Sequence, residues 1–249
     1  MINVAVLHPI DPAGHVPSGI HTFVRGILKF APSDIEYTLF GATSDVVGRP
    51  PGRRTSVRLG DRDVAYWPLV SMDPNARRGR VPLSVRYLVA LAQARSAGLL
   101  RDFQIFDFQR IEPIFVLWGD RRPKNVILHQ DMSVIRDKNS DILWRYAPSV
   151  YEFVERQAFR RLDRIFAVRQ SAVHRYRELY PQWRERFSFI PTWVDTSVFM
   201  PDVNEEGRGR SRAALRERLR IEPDACVLAF VGRLDHQKDP LMLLSALKL

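Results

Sequence analysis

Ile2-Asn3-Val4-Ala5-Val6-Leu7 is a short apolar run, and a loop rich in His, Pro and Gly follows it over residues 8–19. Residues 20–30 then carry Phe23, Val24, Ile27 and Leu28, the three-and-four spacing of a helix with one apolar face. A buried strand, a loop and a helix in that order make the first half of a βαβ unit. The chain repeats the alternation. Strands are predicted over 37–40, 64–67, 104–108, 125–128, 164–168 and 187–190. A helix is predicted over 82–97 on the stripe Val85, Leu88, Val89 and Ala92, and another on Val150, Phe153, Val154 and Ala158. Residues 172–180 read as a helix stopped by Pro181, 113–118 as a short helix or apolar turn, and the Gly/Pro/Arg-rich stretch 49–54 as a loop. The pattern predicts an α/β fold: a Rossmann-like parallel sheet with helices on both faces. Ligands of such sheets sit at the carboxyl ends of the strands, here 8–19, 109–112, 129–133, 169–171 and 191–195.

The chain has 249 residues. At about 150 residues per domain, that fits one large domain or one domain with a piece of another. The composition changes after Pro201. Residues 202–212 are polar and read as a linker or exposed loop, and 212–219 as a short basic helix. An apolar strand is predicted over 225–231 with Cys226 buried inside it, then a turn over 232–240 and a helix over 241–249. Residues 1–200 thus form a first domain, 201–224 a linker with a short helix, and 225–249 the start of a second domain. The lone Cys226 excludes an internal disulfide framework and points to a reducing compartment. Residues 1–7 lack a basic n-region and a long apolar core, so no signal peptide is read. No stretch approaches the ~18–20 apolar residues of a spanning helix. The expectation is a cytoplasmic protein, soluble or at most peripheral at the inner face of a membrane.

Lys and Arg total 38 against 28 Asp and Glu, a net charge of +10, and only five of the 38 are lysines. The excess is concentrated. Residues 49–80 hold eight Arg against three Asp, and 156–186 hold nine Arg against three acids. Such fields attract polyanions: nucleic acid, anionic lipid or phosphorylated substrates. The same charge also fits a bias toward arginine spread over solvated faces.

Three segments in order carry a resemblance. Val231-Gly232-Arg233-Leu234 with Lys238 forms G-R-L-x-x-x-K. Upstream, Ile190-Pro191-Thr192-Trp193-Val194-Asp195 leads to Phe199 and Pro201. At the start, Pro17-Ser18-Gly19-Ile20 precedes a helix. Together they resemble the retaining glycosyltransferases of family 4, which have the GT-B fold of two Rossmann-like domains. Thr192 and Trp193 stand where that family usually has Asn-Gly, and Ser18-Gly19 where it usually has two glycines.

The resemblance implies transfer of a sugar, with retention of configuration, from a nucleotide-sugar donor to a polysaccharide, lipid-linked or other glycan acceptor. Arg233 and Lys238 match positions that grip the donor diphosphate, where an Arg fork and a Lys point charge stabilise the charge growing on the leaving group. Gly19 would let the donor approach the backbone at a helix N-terminus. His129, at the end of strand 125–128, matches the position that faces the donor sugar, and is the expected catalytic residue. Arg110 and Glu112 could serve the acceptor, or pair with each other at the sheet edge. No metal or other cofactor is implied. His8, His15 and His21 cluster in sequence without the spacing of a zinc site. The family's E-x7-E pair falls outside this sequence, so the resemblance covers the first domain and the opening of the second. It implies a chain weakly active or inactive by itself.

Other readings remain open. One is a non-catalytic Rossmann-like binding module or gene remnant. A nucleic-acid-binding protein rests on charge alone, and the sequence carries no nucleic-acid motif or basic–aromatic pattern. The absence of G-x-G-x-x-G after the first strand speaks against an NAD(P) oxidoreductase.

Overall fold

The computed structural model describes residues 1–14, 18–73, 81–129, 146–200, 204–222, 224–232, 234 and 239–247. They cluster into two units, Met1–Trp193 and Val194–Leu249. The first contains β1 (Ile2–Leu7), α1 (Gly19–Lys29), β2 (Ile35–Thr43), β3 (Thr55–Leu59), β4 (Arg62–Ser71), α2 (Leu83–Ser96), β5 (Ile105–Phe108), a 3-10 turn (Glu112–Leu117) and β6 (Lys124–Leu128). It continues with α3 (Pro148–Phe159), β7 (Arg164–Ala167), α4 (Gln170–Leu179), a second 3-10 turn (Pro181–Arg186) and β8 (Phe187–Phe189).

The strands form one sheet in the order β3-β4-β2-β1-β5-β6-β7-β8. All pairs are parallel except β3–β4, an antiparallel hairpin at one edge. The order reverses direction next to β1, between β2 and β5, which is where an open parallel sheet leaves a crevice for ligands. The predicted α/β fold with a parallel Rossmann-like sheet is what the chain adopts.

Alternation along the strands separates two cores. Ala5, Leu7, Phe40, Phe106, Phe108, Val126, Leu128, Ile165, Ala167 and Phe187 face α2, α3 and α4. Val6, Leu39, Val64 and Tyr66 point the other way, with Val57 and Leu59, and meet Val24 and Leu28 of α1. Each fully buried side chain of this size contributes about 1.5–3 kcal/mol. On the first face, Phe159 sits edge-on to Tyr176, Tyr180 and Phe187 at 5.4–5.6 Å between ring centroids.

Two predicted helix stripes are only partly right, since Ala158 is buried and Leu88 and Val154 are half-buried. In α2, Val85 and Val89 are exposed and the buried face is Tyr87, Leu91 and Ala94. In α3, Val150 and Phe153 are exposed while Tyr151, Glu155, Ala158 and Phe159 are buried. Larger aromatic side chains took the core positions, and their hydroxyls found partners. Tyr87 Oη donates to the carbonyl of Phe40 at 2.8 Å, and Tyr176 Oη to Glu155 at 2.8 Å. The hairpin strand β3 was not predicted. Its signal is present, because Val57 and Leu59 alternate with exposed residues and Gly60-Asp61 supplies a two-residue turn, with φ of +61° at Gly60.

In the second unit α5 spans Glu205–Leu219 and α6 spans Pro240–Ala246. The helix therefore starts well inside the expected linker 202–212. Asn204 caps it by accepting from the backbone N–H of Gly207 at 2.7 Å, and Glu205 and Glu206 complement the helix dipole in the first turn. The strand expected over 225–231 is not formed. Val227, Leu228, Phe230 and Val231 are exposed, and Cys226 is exposed rather than buried. A parallel strand exists only through hydrogen bonds to neighbours, and none of the described residues supplies one.

Candidate functional site

The carboxyl edge of β1, β5 and β6 gathers the polar side chains that the sheet has no use for. Leu7 pairs with Phe108, so His8 and Gln109 leave adjacent strands side by side. Leu7 and Phe108 belong to the core against α2 and α3; alternation sends His8 and Gln109 to the opposite face, where α1 packs. His129 leaves β6 on that same face.

His129 Nε2 donates to Gln109 Oε1 at 2.9 Å. Phe23 of α1 meets the imidazole edge-on, with ring centroids 4.9 Å apart. Burial lowers the pKa of His129 to about 4, so the ring is neutral at pH 7. His8 is 6% exposed. Its pKa lies well below the ordinary histidine value, first because of burial and then because of the positive Arg110 and the nearby His129 and His21. Nδ1 of His8 and Nε2 of Gln109 are both buried without a hydrogen-bond partner. One pleat deeper in β5, Asp107 has an unpartnered Oδ1, and burial pushes its carboxyl up to about 7. A shallow depression beside His129 is lined by Leu128, Val168, Arg169, Ala172 and Tyr176.

The loop after β1 is tied to the end of β2 through Asp11. Its carboxylate accepts from Ser44 N at 2.8 Å, Ser44 Oγ at 2.6 Å, Ala13 N at 3.0 Å and Arg49 Nη2 at 3.1 Å. Burial raises the Asp11 pKa, but these donors outweigh it and hold the carboxyl below its ordinary value. His21 Nε2 donates to the Asp11 carbonyl at 2.7 Å. The loop also runs so close to β2 that a Cβ on Gly41 would overlap the carbonyl oxygen of Ile10.

The predicted site residues meet different fates. His129 stands at the strand end as expected. Arg110 and Glu112 are turned to each other in a bidentate pair, Nη2 to Oε1 at 2.6 Å and Nε to Oε2 at 3.2 Å, which is the sheet-edge pairing weighed for them. Gly19 begins α1, and a Cβ there would meet nothing within 4 Å, so the chain's own packing does not require glycine. Arg233 and Lys238 lie outside the described residues, as does His15. Among the described residues no three of His, Cys, Asp and Glu converge as metal ligands would.

Sequence reasoning did not assign Gln109, Asp107, Phe23 or Trp193. Trp193 stacks on Phe23 at 4.3 Å with 24° between the rings, placing Trp193, Phe23 and His129 in one row. Several arginines of the two rich windows have structural roles. Arg62 donates to the carbonyls of Ala31 and Ile35, Arg177 to that of Phe187 and Arg186 to those of Phe159 and Leu162. Arg58 pairs with Asp63, and Arg161 lies over the Trp118 ring. Among the described residues no helix is long and apolar enough to cross a membrane.

No protein-family model matches the chain, and no curated protein matches it by sequence. Solved structures do match its fold. Sucrose-phosphate synthase from Thermosynechococcus elongatus superposes with a TM-score of 0.70 at 16% identity, over 99% of this chain and 59% of that one. A glycosyltransferase from Rickettsia africae superposes with a TM-score of 0.52 at 12% identity, over 99% of this chain and 56% of that one. The chain thus spans somewhat more than half the length of either neighbour. The eight-stranded sheet is a Rossmann-like domain of the GT-B type, with its polar edge where β1, β5 and β6 end.

Proposed function

We propose that the chain is the acceptor-side part of a glycosyltransferase that moves a sugar from a nucleotide-sugar to a glycan or lipid-linked acceptor, with retention of configuration. The observation that carries this reading is His129: half-buried, neutral, and held by Gln109 at the carboxyl edge of a parallel sheet, where ligands bind. Its single N–H is given to Gln109, so the neutral ring offers the Nδ1 lone pair, which suits accepting from a sugar hydroxyl rather than proton donation at pH 7. Arg233 and Lys238 take the donor diphosphate, and the open space at Gly19 lets a ligand reach the first N–H groups of α1. The chemistry needs no metal, because the two cations stabilise the departing diphosphate. The arginine windows fit an anionic membrane surface only through residues other than those that tie down carbonyls.

The test is transfer itself. A panel of UDP-, GDP- and ADP-sugars is offered with short glycan and lipid-linked acceptors to the chain, alone and joined to a complete second domain. Sugar-dependent diphosphate release in the two-domain form, with an anomeric configuration matching the donor by NMR, is the expected result. His129→Ala should lower kcat about 10- to 100-fold, the loss of one hydrogen bond to the sugar with Gln109 left unpaired. No transfer from any donor, or inversion of the anomeric centre, overturns the reading.

A further inference from the structure

His129 is oriented by Gln109, whose amide nitrogen has no role in the reading above. Gln109 is 2% exposed, and its amide does two different things. The oxygen accepts from His129 Nε2 at 2.9 Å, which requires the proton of the neutral ring to sit on Nε2 and leaves Nδ1 with the lone pair. The nitrogen is buried with two N–H donors and no acceptor. Its neighbour across the β1–β5 pair, His8, also buries an unpartnered nitrogen, Nδ1. Parallel strands lie about 4.8 Å apart, so the two buried, orphaned atoms belong to side chains that leave neighbouring strand ends on the same face of the sheet. Buried polar groups are almost always paired, and a pair of exceptions at a ligand-binding edge marks a place where something else supplies the bonds.

A hydroxyl group fits both atoms at once, because its oxygen accepts from an amide N–H while its proton goes to an imidazole nitrogen. A carboxylate could not donate to His8, and an ammonium could not accept from Gln109. We propose that His8 and Gln109 form a hydroxyl-binding site for a sugar ring, and that Gln109 at the same time positions His129 by fixing its Nε2–H tautomer. This deepens the transferase reading and rests on it for the identity of the ligand as a sugar. The groups facing the two imidazoles are His21 and Phe23 from α1 and Arg110 from the end of β5, the last neutralised by Glu112.

The test is imidazole nitrogen NMR on the full chain, which reads tautomer and titration with no transfer reaction. The probes are methyl α-glucopyranoside, methyl α-galactopyranoside and methyl α-mannopyranoside at tens of millimolar, with 1-propanol as control. In the unmodified chain, His129 should show the Nε2–H pattern, and at least one pyranoside should shift His8 and His129 while 1-propanol does not. Gln109→Met removes both halves of the amide, so the tautomer preference and the pyranoside response should both fall at least tenfold. Gln109→Glu keeps an acceptor for His129 but loses the N–H. It should retain the tautomer, move His129 protonation to higher pH, and lose the pyranoside response. An unchanged tautomer in Gln109→Met overturns the positioning role. Ring signals that ignore all three pyranosides mean that a fixed water occupies the site, and overturn hydroxyl binding. If the shifts appear and no donor supports transfer, the transferase reading fails while the site stands.

Discussion

The indole of Trp193 lies across Gly26 of α1 so closely that a Cβ on the glycine would fall inside the ring, 2.6 Å from Cε2. Replacing a helix-interior glycine by alanine ordinarily stabilises by about 0.5–1 kcal/mol. At Gly26 the sign should reverse. The added methyl must push Trp193 off, breaking its stack on Phe23 and opening the aromatic row that ends at His129. Gly26→Ala is expected to destabilise the first unit by about 1–3 kcal/mol, as overpacking does. In a Trp193→Ala background the same change should return to neutral or mildly stabilising. Urea unfolding of the four proteins measures the coupling, and additive effects would remove the contact from the account.

Stability against pH should reveal the buried titratable groups at the sheet edge, because they act in opposite directions. His129 is held to about 4 in the folded chain against about 6.5 unfolded, and His8 moves the same way. From pH 4 to 6.5 the unfolded state therefore takes up protons that the folded state refuses, and stability is lost as pH falls through that window. Asp107 is raised to about 7 against about 3.9 unfolded. There the folded state keeps a proton that the unfolded state releases, so its contribution is complete below pH 4 and lost as pH rises toward 7. Each group changes the slope by about 1.4 kcal/mol per pH unit. Between pH 4 and 6.5 Asp107→Asn should steepen the rise of stability with pH by that amount. His129→Asn should flatten it equally. Unfolding free energies at half-unit intervals check both, and parallel curves for all three proteins would refute the assignment.

The sheet was legible because its strands are short apolar runs separated by helical periods, a signal that survives without any knowledge of the partner strands. Which side of a helix is buried was less so. In α2 the valines Val85 and Val89 look like a stripe, yet Tyr87 buries more area and satisfies its hydroxyl on Phe40, so the helix turns that face inward. The site was half visible. His129 stands out as a histidine at a strand end, but Gln109 gains its role only from the Leu7–Phe108 register that lays β1 beside β5. Trp193 could not be read at all, since its place depends on a glycine 167 positions earlier in the chain. The segment 225–231 failed for the converse reason. Its apolar residues predict a strand, but a strand needs neighbours that the described residues do not provide.

Several arginines of this chain close off backbone carbonyls, and Arg122 shows why lysine is no substitute. Its Nη1 donates to the carbonyls of Leu100, Arg101 and Phe103 at 2.6–3.0 Å, while Nε and Nη2 grip Asp120. The guanidinium also lies over the Phe106 ring, 4.5 Å from its centroid. A lysine keeps the charge but has no planar fork to serve the carboxylate and three carbonyls together. Arg122→Lys should lower stability by about 2–3 kcal/mol. That corresponds to roughly 5–10 °C in Tm for a unit of this size. Raising salt from 0.05 to 0.5 M should change the deficit little, because most of the bonds go to neutral carbonyls. A deficit that disappears in high salt would show that charge, and not geometry, is what Arg122 supplies.

The donor diphosphate offers a different contrast between Arg and Lys. In the proposed enzyme, Arg233 meets two phosphate oxygens at once through its fork, and Lys238 meets the charge as a point. Joined to a complete second domain, Arg233→Ala and Lys238→Ala should each weaken nucleotide-sugar binding by about 10- to 100-fold, the loss of a charge-assisted hydrogen bond. Conservative exchange should separate them. Lys238→Arg keeps a cation in reach and should recover most of the affinity, whereas Arg233→Lys loses the bidentate contact and should recover little. Binding is read by calorimetry with the nucleoside diphosphate and with the corresponding nucleoside. The nucleoside should be indifferent to all four substitutions, since it lacks the phosphates. Equal losses for nucleoside and diphosphate would place these residues on the base or ribose and remove them from the leaving group.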